Sequence, residues 1–238
     1  MLILPAIDIK DNQCVRLYQG DYAQVTTYDV DPVEVAQRWQ AAGASWLHLV
    51  DLDGAAAGQP VNIEGIRRIR AATSLSIELG GGLRTLDHIK HMLDLGIDRI
   101  ILGTAAVTNR ALLEEALAQW GQRIVVGLDA RNGRVAIAGW RETSDVQAIS
   151  LATELNACGV QRFIYTDIAR DGALQGPNLN ELRKMREALS CSLIASGGVR
   201  SLDDLHSLAA LHIEGAIIGK ALYTGHVDLA VAIQAIER

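Results

Sequence analysis

Aromatic residues make up only 4% of this 238-residue chain, with a single phenylalanine, which argues against the aromatic-rich core of a β-sandwich. With 49% apolar residues, layers of branched aliphatic side chains are the better fit. The three cysteines, Cys14, Cys158 and Cys191, are odd in number and widely scattered. They suggest neither a disulfide framework nor a metal knuckle, read as small buried apolar residues, and make a reducing cytoplasm the expected compartment. No apolar run reaches the ~18–20 residues that span a bilayer, and the start of the chain lacks a basic-then-apolar leader. A basic cluster is also missing, and the net charge is −6, so no nucleic-acid partner is expected. A small anionic substrate is compatible, since backbone N–H groups and a few arginines make a site locally positive.

What the chain does have is a repeated unit. Leu2 to Asp8 is an apolar run that stops at an acid, the pattern of a buried parallel strand that delivers one charged group to its carboxyl end. Alternation puts Leu4, Ala6 and Asp8 on one side and Ile3 and Ile7 on the other. An Asp after a strand can also serve as a turn former or helix cap. The spacing predicts further strands at 46–50, 75–79, 99–102, 123–128, 162–165, 192–195 and 216–218. Helices are predicted at 31–42, 62–72, 85–95, 110–120, 179–189, 202–211 and 227–236, with a fifth, after Thr143, ending at Cys158. The polar stretch 18–30 is too long for an ordinary connection and reads as an active-site loop.

Eight strand-then-helix units without a linker or composition shift predict a single domain, 1–238, folded as a (β/α)8 TIM barrel, with its chemistry at the carboxyl ends of the strands. An open doubly wound sheet would more often carry a Gly-x-Gly-x-x-Gly turn after the first strand, and none is present.

The two halves of the chain resemble each other. Gly81-Gly82-Leu83-Arg84 matches Gly197-Gly198-Val199-Arg200, Gly103-Thr104 matches Gly219-Lys220, and Asp51 matches Asp167, all at one offset (197 − 81 = 219 − 103 = 167 − 51 = 116). With small gaps Asp8 matches Asp129 and Asp53-Gly54 matches Asp171-Gly172. Two similar half-barrels are therefore expected. Glycine turns let backbone N–H groups approach an anion, and the loops after strands seven and eight of a barrel are a usual phosphate site. The candidate phosphate and substrate positions are Gly81, Gly82, Arg84, Gly103 and Thr104 in one half. Those in the other are Gly172, Ser196, Gly197, Gly198, Gly219 and Lys220. Two such sites imply a long bisphosphate across the mouth, above Asp8 and Asp129.

Several residues read as structural. His88 and His91 lie three apart on a helix without a third ligand, so no metal is expected. His206, His212 and His226 read as surface, His48 as a hydrogen-bonded core histidine, and Trp39, Trp46 and Trp120 as packing.

Pro5-Ala6-Ile7-Asp8-Ile9, the run 15–22, His48 to Ala55, Gly80 to Arg84, Gly139 to Ser144 and Thr166 to Gly172 together closely resemble the phosphoribosylformimino-5-aminoimidazole carboxamide ribotide (ProFAR) isomerase family of histidine biosynthesis. The resemblance spans essentially the whole chain. It implies a half-barrel-duplicated TIM barrel that needs no metal, organic cofactor or obligate protein partner and is expected to be a monomer. The reaction implied is an acid–base Amadori rearrangement of the bisphosphate aminoaldose ProFAR to the aminoketose PRFAR. By family likeness Asp8 is the base and Asp129 the acid, with Asp171 a rival for the acid role and Thr166 near the reacting centre. Trp140 is expected to stack on or close over the aminoimidazole, and Arg16 to reach a phosphate or the carboxamide end. Arg141 replaces the Gln or Lys of many relatives, which leaves open a second activity on phosphoribosylanthranilate. The sister cyclase of imidazole glycerol phosphate synthase shares the fold and both aspartates, but typically has Cys-Leu-Asp-Val near the first aspartate and Lys in place of Arg16. A silent phosphate-binding barrel is disfavoured by the intact Asp8, Asp129 and Asp171.

Overall fold

The structure, a computed structural model, describes residues 1–29, 31–137, 139, 140 and 142–237, with positions 28 and 29 described as backbone only. Arg141 lies outside the described residues. Leu2–Lys10 (β1) runs straight into an antiparallel hairpin of Gln13–Tyr18 (β2) and Asp21–Asp29 (β3), followed by the helix Pro32–Ala41 (α1). Then come Trp46–Asp51 (β4), Leu52–Ala57 (α2), Ile63–Ala72 (α3), Ser76–Gly80 (β5), Leu86–Asp94 (α4), Arg99–Leu102 (β6), Thr104–Thr108 (α5) and Arg110–Trp120 (α6). Ile124–Arg131 (β7) continues into a second hairpin, Arg134–Ile137 (β8) with Glu142–Gln147 (β9), before Ala148–Ala157 (α7). The chain finishes with Arg162–Asp167 (β10), Leu179–Ala188 (α8), Ser192–Ser196 (β11), Leu202–Ala209 (α9), Gly215–Ile218 (β12), Lys220–Tyr223 (α10) and Leu229–Ile236 (α11).

Eight of these strands pair in parallel in the order β1, β4, β5, β6, β7, β10, β11, β12, and β12 returns to β1. The sheet is closed, so the predicted TIM barrel is what forms, and parallel strands covered on both faces explain why their sequences read as nearly continuous apolar runs. Residues alternate as the first strand suggests. Ile3 and Ile7 join the large outer cluster under the helices, while Leu4 and Ala6 pack inside the barrel with Val125, Ile164, Ile194 and Ile217. That inner plug is small and lies below the strand ends, leaving the mouth open.

The polar stretch after β2 is the second strand of a ribbon rather than an irregular loop. Val25, Thr26 and Thr27 pair with Leu17, Arg16 and Val15 of β2, and Asp21 and Asp29 with Tyr18 and Cys14, which supplies backbone partners that a free loop of that length lacks. The predicted loop 131–143 likewise holds much of the β8–β9 hairpin. Cys14 is buried as expected, Cys191 is half-buried, and Cys158 is exposed just after α7, because it falls at the helix cap rather than on the packed face. Among the described residues no helix is long and apolar enough to cross a membrane.

Candidate active site

The post-strand loops are shaped by buried carboxylates. Asp51, at the end of β4, accepts hydrogen bonds from Gly54 N (2.8 Å), Val61 N (2.7 Å), Asn62 N (3.0 Å) and Asn62 Nδ2 (2.7 Å). Asp167, at the end of β10, accepts from Ala169 N (3.1 Å) and Asn178 Nδ2 (2.6 Å). Each folds its loop against the neighbouring glycine turn. At Gly81 (φ +106°) a Cβ would lie 2.2 Å from the Asp51 carbonyl oxygen, and at Gly197 (φ +91°) one would lie 2.7 Å from that of Asp167. Only glycine meets both the positive φ and the close approach. The turns therefore present backbone, not side chains, to the mouth.

A cavity of about 220 Å³ occupies that mouth. Its wall includes Asp8, Arg16, Gly81, Gly82, Arg84, Gly103, Thr104, Asp129, Trp140, Thr166, Asp171 and Ser196. A recess of about 20 Å³ beside it is walled by Arg16, Asp171, Gly172, Ser196, Gly197, Gly198, Gly219 and Lys220. Every candidate residue from the sequence thus borders one space or the other. Asp8 and Asp129 stand on β1 and β7, four strands apart in either direction round the ring, so they face each other across the cavity.

Arg16 lies between two carboxylates. Its Nη1 is 2.8 Å from Asp8 Oδ2, and its guanidinium lies against Gly219, where a Cβ would meet it. Burial by itself would lower the Arg16 pKa, but Asp8 and Asp171 outweigh it and the net shift is upward. Arg16 therefore links the acid end of the site to the recess walled by the glycine turns. Lys220 Nζ donates to the Gly172 carbonyl at 2.8 Å and lies over the Tyr18 ring at 5.6 Å. The recess has room for about one water molecule between these groups. Arg84 donates to the Ala55 carbonyl at 3.3 Å and packs on Gly58.

The three carboxylates are not equivalent. Burial raises the Asp129 pKa, against hydrogen bonds from Trp140 and Thr166 and the charge of His48, all of which favour its ionised form. Asp171 is pushed up to about 6, first by burial and then by the negative Asp8 and Asp129, with Arg16 and His48 opposing. Its turn is held by the first hairpin, where Gln19 N donates to Asp171 O (3.2 Å) and Gln19 Nε2 donates to Ala169 O (2.7 Å). Trp140 adopts φ +67°, a conformation that costs a non-glycine residue roughly 1–3 kcal/mol and tends to be kept at functional sites. It packs on Gly20, where a Cβ would lie 2.1 Å from the indole, so the two hairpins meet over the cavity.

A carboxyl whose pKa is higher folded than unfolded stabilises the fold fully below the unfolded value, and that contribution is lost as pH rises through the folded one. Asp171→Asn is therefore expected to raise the melting temperature by several degrees at pH 8, with the difference largely gone near pH 4. Thermal unfolding across this range checks it; equal melting temperatures at pH 8 refute it.

Beneath the carboxylates is a pair that sequence reading missed. His48 Nδ1 is 2.7 Å from Glu78 Oε1, Glu78 is fully buried, and its other oxygen is 3.8 Å from Arg99 Nη1. His48 is hydrogen-bonded, as expected, yet it also lines the cavity. Removing one member of such a pair costs about 3–5 kcal/mol, while replacing both with apolar residues is commonly neutral or stabilising. Among the described residues no group of three or more His, Cys, Asp or Glu is placed to hold a metal ion.

Comparison with known proteins agrees with this geometry. Residues 2–228 match the family described as Histidine biosynthesis protein. A relative from Synechocystis, named 1-(5-phosphoribosyl)-5-((5-phosphoribosylamino)methylideneamino) imidazole-4-carboxamide isomerase, is 55% identical over 99% of this chain and 93% of its own length. Relatives of the same name from Chloroflexus aggregans and Clostridium botulinum are 51% and 47% identical, over 98% and 100% of this chain and 97% and 98% of theirs. A closed parallel barrel, a family match over residues 2–228 and relatives 47–55% identical over 98–100% of the chain place it in the histidine biosynthesis protein family, among its imidazole-4-carboxamide isomerases.

Proposed function

We infer that this chain catalyses the reaction for which its relatives are named, the rearrangement of the aminoaldose ProFAR to the aminoketose PRFAR in histidine biosynthesis. The observation that carries the reading is the arrangement of the mouth, two carboxylates on facing strands between matched glycine turns. A substrate with a phosphate at each end spans such a mouth, and its ribose then lies over the carboxylates. Gly81, Gly82, Gly103 and Thr104, with Arg84 at the rim, hold one phosphate. Gly172, Ser196, Gly197, Gly198, Gly219 and Lys220, with Arg16, hold the other.

The chemistry needs one acid and one base. Asp171 supplies a proton to the ring oxygen, and the ring opens to a Schiff base. Asp8, oriented by Arg16, takes the C2′ proton to give the enolamine. The C2′ hydroxyl then gives up its proton while C1′ gains one, so the ketose forms without net oxidation or reduction. Asp171 is preferred as the acid because burial, with the negative Asp8 and Asp129 beside it, pushes its pKa up to about 6. Asp129, the family's expected acid, is held as an acceptor by Trp140 and Thr166. Thr166 orients the opened sugar, and Trp140 covers the aminoimidazole. The whole chain works as one barrel of two similar halves, as a monomer in the cytoplasm.

Two assays separate this reading from the sister cyclase. Purified chain given the aminoaldose is expected to yield the ketose, and given the ketose with ammonia to yield no cyclised product. Cyclisation without isomerisation would move the protein to the cyclase.

A further inference from the structure

At one level of the barrel the two halves differ in chemistry. Along the offset of 116, His48 corresponds to Ile164 and Glu78 to Ile194. The correspondence holds in register as well as in number, because His48 sits opposite Glu78 across β4 and β5 and Ile164 opposite Ile194 across β10 and β11. Ile164 and Ile194 belong to the apolar plug inside the barrel. Barrel packing at this level is thus satisfied by two isoleucines, and nothing in it requires an imidazole and a carboxylate on the other side. A buried ionisable pair is in general no more stabilising than two well-packed apolar residues, so the reason for the pair lies in the cavity above it.

The geometry says what the pair does there. The 2.7 Å contact commits His48 Nδ1 to Glu78, and an ionised Glu78, which only accepts, takes the proton-bearing Nδ1 as its donor. Nε2 is then the ring nitrogen left for the cavity, which His48 lines and Glu78 does not. Glu78 is fixed in turn from the far side. Arg99 approaches it at 3.8 Å, pairs with Glu214 at 3.0 Å and stacks on Trp46 at 3.8 Å. The charge of His48 also bears on both Asp129 and Asp171.

We infer that Glu78 is a positioning residue for the isomerisation, acting through His48, whose free ring edge meets the sugar-derived chain of the substrate between Asp8 and Asp129. The inference rests on the isomerase reading given above. Phosphates at the two rims carry ground-state binding, so loss of the pair is felt in kcat more than in KM.

Two variants of the full chain test it. Glu78→Gln keeps the shape and removes the charge. The double variant His48→Ile with Glu78→Ile installs the contact of the other half and leaves Arg99 on Glu214, so its melting temperature is expected to match or exceed the parent's. Both are expected to lose kcat by about 10–100-fold, the loss seen when the group that orients a metal-bound histidine is removed, with KM within about threefold. In proton NMR, the downfield Nδ1 proton of His48 in the parent is expected to move upfield in Glu78→Gln. An active parent with either folded variant turning over within about twofold of it, or a His48 spectrum unchanged by Glu78→Gln, overturns the assignment alone. A parent without turnover overturns the isomerase reading and this assignment with it.

Discussion

Asp8→Asn is expected to keep its affinity for the bisphosphate substrate and lose about 10²–10⁴-fold in kcat, the usual contribution of a positioned general base. The two effects separate because they belong to different parts of the mouth. On the proposed reading binding is supplied at the rims by backbone that the glycine turns expose, and the substitution leaves those turns alone. Proton transfer, on the same reading, falls to the carboxylate that β1 delivers to the cavity and that Arg16 grips at 2.8 Å. Asparagine fills the same space and still accepts from Arg16, but it is no base. Equilibrium binding and steady-state kinetics on the folded variant check the prediction. Turnover near the parental rate would remove Asp8 from the base role.

The second large effect concerns the acid. Asp171→Asn is expected to lower kcat by about 10²–10⁴-fold and to abolish the alkaline limb of the kcat/KM profile. That profile reports groups of the free enzyme, so the parent's activity should decline as pH rises through about 6, where Asp171 gives up its proton. Asp129→Asn is expected to retain the limb, because the group that titrates there is still present. An alkaline limb that survives in Asp171→Asn and disappears in Asp129→Asn reverses the assignment.

The barrel was legible because each parallel strand is buried on both faces and ends abruptly in an acid or glycine, so strand ends and site residues are the same signal. The repeat made the mouth legible too, since Gly81 and Gly197 answer the same steric demand against Asp51 and Asp167. The hairpins were not. In Asp21–Asp29 the exposed residues leave no apolar alternation to read, and pairing with β2 supplies the order instead. The helices α2, α5 and α10, of four to six residues, are too short for a helical period to emerge. His48 reads from the sequence as a core residue because alternation gives the side of a strand but not the neighbour across it. The partner, Glu78, comes from the adjacent strand, and comparing each polar residue with its counterpart in the other half would have exposed the pair.

Turnover of ProFAR by the purified chain, followed by absorbance with a chelator present and no partner added, tests the account most directly. Conversion to the ketose at the same rate with and without chelator is the result expected from proton transfer between carboxyl groups. A folded chain that binds the bisphosphate and does not convert it, or that converts it only with added metal, would contradict the account.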